Sequence, residues 1–134
     1  MSVIRICQMI TELRPAGAER CVYELATRLD KSRFDVRVVA LRSGSVADDL
    51  RAGGIRVDTL DVRGRCDVAK LVRLVSLLSG PRIDILHTHL FHADLVGKPA
   101  AAAAGVPHVV NTIHVAEARH RPWQFAWARL SSAY

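Results

Sequence analysis

"VIRICQMITELRPAGAERCVYELATRL", Val3 to Leu29, holds a strand pattern, a tight turn and a helix pattern in one short stretch. "VIRICQMI" is short and mostly apolar, as expected of a strand buried on both faces. From Ala18 the spacing changes to Val22, Leu25, Ala26 and Leu29, one face of a helix. Between them lies Pro15-Ala16-Gly17. In an open parallel sheet such a turn, at the carboxyl end of a strand and the amino end of a helix, is where ligands bind. Small residues let a ligand approach the backbone, and free helix N–H groups favour an anion. A tight turn with no ligand fits the same residues, and the turn is not GxGxxG, so a dinucleotide fingerprint is absent.

The same alternation continues along the chain. "FDVRVVAL" (Phe34–Leu41) is rich in β-branched residues and reads as a second strand. "SVADDLRAGG" reads as a short helix, with Ser45 as N-cap, Asp48 and Asp49 in the first turn and Gly53-Gly54 at its end. "IRVDTLD" (Ile55–Asp61) is a third strand. Val68, Leu71, Val72, Val75 and Leu78 recur at helical spacing until Gly80-Pro81. "IDILHTH" (Ile83–His89) is a fourth strand, "ADLVGKPAAAAAG" a fourth helix with Pro99 inside, and "PHVVNTIH" (Pro107–His114) a fifth strand. The tail from Pro122 to Tyr134 reads as helix. Strand and helix alternating with short connections predict an α/β fold, a Rossmann-like open parallel sheet of about five strands with helices on both faces. The pattern breaks at Glu117–Pro122, which places a domain over residues 1–118 and a loop and helical tail over 119–134.

The chain of 134 residues is long enough for one domain with a proper core and too short for two ordinary ones. Its formal charge is +6, carried almost wholly by arginine. That charge suits contact with anions, or is simply a basic solvated surface. The arginines are scattered and no Lys/Arg run carries interleaved aromatics, so nucleic acid is not expected. Cys7, Cys21 and Cys66 form no CxxC and no even framework, which fits a reducing, cytoplasmic setting. No run approaches the ~20 apolar residues needed to cross a bilayer.

Several stretches taken together resemble the amino-terminal domain of glycosyltransferase family 4, the retaining enzymes of GT-B architecture. "PAGAERCVYELATRLDKSRFDVRVVAL" (15–41) is similar to the family's Gly-Gly-Ala-Glu-Arg turn, helix and second strand. "LRAGGIRVDTLDV" (50–62) resembles the next helix and strand. "IDILHTHLFHADLVGKPAAAAAGVPHVVNTIH" (83–114) resembles the block D-I-V-H-T-H…A-G-V-P-x-V-x-T-x-H. The resemblance is collinear from Ile4 to about His114. It implies one half of a two-domain enzyme, the acceptor side, with the other half binding a UDP- or GDP-linked nucleotide-sugar as substrate. It implies no metal and no further cofactor. The family's glycine turn approaches the donor diphosphate, which falls on Ala16 and Gly17; Ala16 departs from the usual glycine, and a methyl there narrows the approach or blocks a positive φ. The histidine after the fifth strand faces the reacting sugar in the family, which assigns the catalytic role to His114. His89 and His92 are expected on the acceptor side of the cleft, with His87 a packed strand residue.

The family's paired-glutamate segment and nucleotide-binding strand do not appear, so the chain alone is expected to be inactive: a fragment, a truncated product or one subunit of a split enzyme. A non-catalytic Rossmann-like binding module is the alternative. The implied partners are a sugar or lipid-linked acceptor, a missing carboxyl-terminal domain or partner chain, and a membrane surface met by the basic "RHRPW" (Arg119–Trp123) at the inner face. His87 and His89, alternate residues of a strand, also form the start of a metal pair. The hydrolases that use such a pair need more strands than this chain supplies. Glu19 is expected to stabilise the positive end of the first helix, and Asp94 that of the fourth.

Overall fold

The computed structural model describes residues 2–64, 67–80, 82–114 and 121–131. Strands and helices alternate as the periodicities predict: β1 (Ile4–Glu12), α1 (Gly17–Arg28), β2 (Phe34–Arg42), α2 (Val46–Ala52), β3 (Arg56–Thr59), α3 (Val68–Ser79), β4 (Ile85–His89), α4 (Phe91–Ala104), β5 (His108–Thr112) and α5 (Pro122–Ser131). The five strands form one sheet in the order β3-β2-β1-β4-β5, and every pairing is parallel. The chain winds outward from β1 to β3, then returns to place β4 on the other side of β1. The order reverses between β1 and β4, so a crevice opens there at the carboxyl rim.

Side-chain alternation along the strands divides the core between two faces. Cys7, Met9, Val39, Leu41 and Leu86 meet Leu74 and Leu78 of α3 and Ala93, Ala100 and Ala101 of α4. Ile10, Val38 and Ala40 meet Val22 and Ala26 of α1 and Ala47 and Leu50 of α2. The Cys7 thiol is buried on the first face, and desolvation pushes its pKa up to about 12. It is therefore a packing group and not a nucleophile. Cys66 lies outside the described residues.

One charged pair, a buried arginine and a partly buried aspartate, joins β2 to β3. Arg37 of β2, 8% exposed, donates to Asp58 of β3 at 2.6 Å and to the Leu77 carbonyl of α3 at 3.1 Å. It ties two strands and a helix through one guanidinium.

Two glycines fix approaches that the periodicities do not reveal. A Cβ on Gly44 would collide with the Leu13 carbonyl and stand 2.7 Å from the Arg14 amide. Gly44 therefore lets the β2–α2 loop lie against the end of β1, immediately before the Pro15–Gly17 turn. The Leu13 carbonyl accepts from the Val46 amide at 3.1 Å and supplies the cap of α2. Ser45, expected as the N-cap, has helical backbone angles (φ −61°, ψ −28°) and makes no side-chain cap bond. Gly97 is the second. A Cβ there would lie 2.8 Å from Thr88 Cγ2 and 3.0 Å from Met9 Sδ. Thr88 is held by its bond to Asp94 and cannot swing away. Gly97→Ala should cost about 1–3 kcal/mol from overpacking. That exceeds the roughly 1 kcal/mol that alanine returns as helix propensity. A lower Tm of the purified variant is the check.

Other departures are local. The fourth strand starts at Ile85 and ends at His89, and α4 starts at Phe91, with one residue between them. The junction residue Leu90 has φ 71° and ψ 160°, a region that side-chain-bearing residues rarely occupy. No helix among the described residues is long and apolar enough to cross a membrane. On α3, Val68, Leu71 and Val72 are exposed, at 67%, 42% and 64%.

Candidate functional site

The loops after β1, β4 and β5 converge at the carboxyl rim. There they border a cavity of about 280 Å³, whose β1 and α1 side is Thr11, Glu12 and Glu19. Its α4 side is Leu90, Phe91, His92 and Asp94, and its β5 side is Asn111, Ile113 and His114. Gln124, Phe125 and Ala128 of α5 complete it.

Beneath His114 runs a buried hydrogen-bond chain. The period of two puts Gln8 of β1 and His87 and His89 of β4 on one sheet face, with Gln8 in register with His87. Gln8 Oε1 stands 2.6 Å from His89 Nε2, and His89 Nδ1 stands 2.8 Å from His114 Nε2. Gln8 and His89 are 2% and 0% exposed. Burial, helped by the charges His87 and His114 would carry, holds the His89 pKa down at about 3. His89 is therefore neutral. With the Gln8 amide oxygen facing it, His89 bears its proton on Nε2, so its Nδ1 accepts from His114 Nε2–H. His114 Nδ1 is then the ring atom left for a ligand. It accepts a hydrogen bond while the ring is neutral and donates one when the ring is protonated. His87 is bonded to Thr112 Oγ1 at 2.7 Å, and its pKa is lowered, first by burial and then by His114.

A pH dependence follows with a definite sign. Unfolded, a histidine titrates near 6.5, whereas folded His89 stays neutral down to about 3. Between these values the unfolded chain binds the extra proton. The stability is whole above about pH 6.5 and declines as pH falls, by about 1.4 kcal/mol per pH unit for this one group. Urea midpoints measured from about pH 7 to about pH 4 should show this slope, and His89→Gln should flatten it.

A second network holds the start of α4. Asp94, 4% exposed, accepts from Thr88 Oγ1 at 2.9 Å and pairs with Lys98 at 3.0 Å. Asn111 donates to Thr88 Oγ1 at 3.0 Å, and Lys98 reaches Ser131 of α5 at 2.8 Å. Asp94 thus serves as the first-turn charge of α4 and also borders the cavity.

The predicted residues divide as follows. His114 and His92 border the cavity. His89 does not form its wall: the alternation of β4 turns it inward, where it underlies His114. Ala16 and Gly17 sit on the same rim but outside this cavity. Ala16 borders a separate open groove of about 680 Å³ between α1 and α2, with Arg20, Tyr23 and Asp49. Its φ is −154°, extended backbone that any residue adopts, so alanine replaces the family's glycine there without strain. Gly17 is exposed, and a Cβ on it would meet nothing within 4 Å. Packing does not require a glycine at that position. Glu19 does more than sit at a helix end: it is 4% exposed, and its Oε2 is buried without a hydrogen-bond partner among the described residues. The sequence reading missed Gln8, although a lone amide in the apolar run "ICQMI" was a usable signal. It also missed Thr11, Asn111 and Thr112, which carry no local signal. Among the described residues no three His, Cys, Asp or Glu side chains are grouped to hold a metal. Arg119 and His120 of the basic motif lie outside the described residues.

Comparison with known proteins agrees with this fold. The family model described as "Glycosyl transferase 4-like domain" matches residues 16–133. The UDP-Gal:alpha-D-GlcNAc-diphosphoundecaprenol alpha-1,3-galactosyltransferase of Escherichia coli is 31% identical over 103 residues, covering 74% of this chain and 27% of that protein. Among solved structures, a glycosyltransferase from Rickettsia africae superposes with a TM-score of 0.79 at 12% identity, over 98% of this chain and 35% of its own. HepE from Anabaena in complex with UDP gives 0.76 at 18% identity, over 96% and 35%. These structures share the fold, and the chain spans about a quarter to a third of the length of the proteins it matches. With a five-stranded parallel sheet, a rim crevice at its reversal point and a family match over most of its residues, the chain belongs to the glycosyl transferase 4-like domain family.

Proposed function

We propose that this chain is the acceptor-side half of a retaining glycosyltransferase, which moves a sugar from a UDP- or GDP-linked donor to a hydroxyl group. The observation that carries the reading is the convergence of His114 and Glu19 on one cavity at the β1/β4 reversal. His114 meets the reacting sugar or its phosphate through Nδ1. Neutral, it accepts from a sugar hydroxyl; protonated, it donates to the departing phosphate, where charge develops. Gly17 keeps the rim open for the diphosphate at the amino end of α1. Residues 119–134 lead toward the donor-binding half, and the chain alone is inactive. The relatives support this: one is named as a galactosyltransferase acting on a diphosphoundecaprenol-linked sugar, and another binds UDP.

The test is to join the chain to a donor-binding domain of the family and follow release of UDP or GDP from nucleotide-sugars. Turnover by the joined protein and none by the chain alone is the expected result; turnover by neither overturns the reading. Exposed Trp123, Phe125 and Leu130 on α5 favour a second form of it, a subunit completed by a partner chain. Activity from two separate chains mixed together identifies that form.

The setting we propose is cytoplasmic, at the inner face of a membrane. Support comes from α3, where exposed Val68, Leu71 and Val72 are flanked by Arg63 and Arg73. Sedimentation with anionic vesicles is expected, and Val72→Glu should abolish it.

A further inference from the structure

The buried hydrogen-bond chain beneath the rim ends on an amide, Gln8. This residue stands in the middle of β1, in register with Val38 of β2 and His87 of β4. Its neighbours on the same strand face, Ile6 and Ile10, are apolar and buried, as is Val38. Its Oε1 meets β4 instead, where His89 Nε2 lies 2.6 Å away.

A histidine that must be oriented is often held by a carboxylate, and a carboxylate also favours the charged ring. Gln8 accepts the same hydrogen bond without a charge. It fixes where the His89 proton sits and leaves the ring neutral. A charged ring there would also face His87, whose ring centroid is 4.1 Å from that of His89.

With one proton on each ring, the chain from Gln8 through His89 to His114 has only two directions. An acceptor at position 8 holds the His89 proton on Nε2. His89 Nδ1 then accepts from His114 Nε2, 2.8 Å away, and His114 keeps a lone pair at Nδ1. In the opposite direction His89 donates from Nδ1 to His114 Nε2, and His114 carries N–H at Nδ1. The group at the buried end therefore selects what the ring at the cavity offers.

We propose that Gln8 is a positioning residue that sets the polarity of this chain, so that His114 presents a hydrogen-bond acceptor, and not a donor, to a hydroxyl group at the rim. Gln8 acts through His89 and touches no substrate. Its consequence for sugar transfer rests on the transferase reading above; the polarity itself does not.

The experiment labels the histidines of the chain with ¹⁵N and reads the tautomer of each ring at about pH 8, where an ordinary histidine is neutral. In the wild type His89 and His114 should each carry the proton on Nε2. Gln8→Met fills the same space without an acceptor, so the reversed direction should appear, with His114 protonated on Nδ1 in a share of the molecules. Gln8→Glu restores an acceptor and should restore the Nε2–H form of His114. As pH is lowered, its ring pair should take up a proton at a higher pH than the wild-type pair. The other titratable groups bordering the cavity with His114 are Glu12 of β1, Glu19 of α1 and His92 and Asp94 of α4. With His87 they are the same in all three proteins, so the difference comes from position 8. A merely structural role for Gln8 would lower Tm and leave the His114 tautomer as it was. A wild-type His114 protonated on Nδ1, or one His114 tautomer shared by wild type and Gln8→Met, overturns the proposal.

In the chain joined to a donor-binding domain, Gln8→Met should lower kcat about tenfold, the weight of one hydrogen bond, and Gln8→Glu should recover part of it. The two readings fail separately. If the joined enzyme transfers sugar while the His114 tautomer ignores position 8, the polarity proposal falls and the transferase reading stands. If the tautomer follows position 8 while no joined enzyme transfers sugar, the proposed polarity stands and the transferase reading falls.

Discussion

Replacing His114 by alanine in the chain joined to a donor-binding domain should lower kcat by about 10²–10³-fold, the usual loss when one group stabilising developing charge is removed. The fold should be untouched. His114 follows the last strand of the sheet and is partly exposed, and its one described bond is to His89. His89 acts through His114 and is a positioning residue. His89→Phe keeps a ring in the buried slot but removes the acceptor for His114 Nε2–H. Its expected effect is smaller, about tenfold in kcat, the weight of one hydrogen bond. The measurement that separates positioning from packing is the ¹⁵N spectrum of the His114 ring. In the wild type Nε2 carries the proton; in His89→Phe the two tautomers should mix. Loss of activity with an unchanged ¹⁵N spectrum would refute the relay.

Asp58→Ala should destabilise the chain by about 3–5 kcal/mol, the cost of leaving a buried partner charge uncompensated. The whole stability of a domain is commonly about 5–15 kcal/mol, so the variant should be largely unfolded at mildly raised temperature. The reason is the setting of Arg37. Its side chain is 9% exposed, its NH2 rests on Asp58 and its Nε has no partner among the described residues. Without Asp58 the Leu77 carbonyl is what remains, among the described residues, to hold the guanidinium. Arg37→Met combined with Asp58→Leu should recover most of the loss, since an apolar pair of similar size removes the stranded charge. Urea unfolding of the wild type, the single variant and the double variant tests the argument; a double variant no more stable than Asp58→Ala would count against it.

These two predictions concern residues of different legibility. His114 was readable from its position after "VVNTI", because a residue just past a parallel strand must emerge at the carboxyl rim. Arg37 and Asp58 gave no such sign. Each sits in a strand pattern as an ordinary polar residue, and only the β2–β3 register, with Arg37 opposite Arg56 and Asp58 two residues further along opposite Val39, brings them within reach. His89 shows the boundary well. Its place on β4 and its shared face with His87 follow from the period of two. Whether that face meets a cavity or a neighbouring strand's Gln8 depends on which strand stands beside β4.

The sequence by itself determined the elements, their order and the parallel α/β class, because hydrophobic period and turn residues act within a few positions of one another. It also placed Gly17 and His114 at one rim, since every strand in such a sheet points the same way. The tertiary structure alone decided the partners across strands: Gln8 with His89, Arg37 with Asp58, and His89 with His114. Those contacts join residues far apart in the chain, and their existence depends on strand order, register and the close approaches permitted by Gly44 and Gly97. Local pattern carries none of that information, because a side chain's neighbours across a sheet are set by how the whole chain closes upon itself.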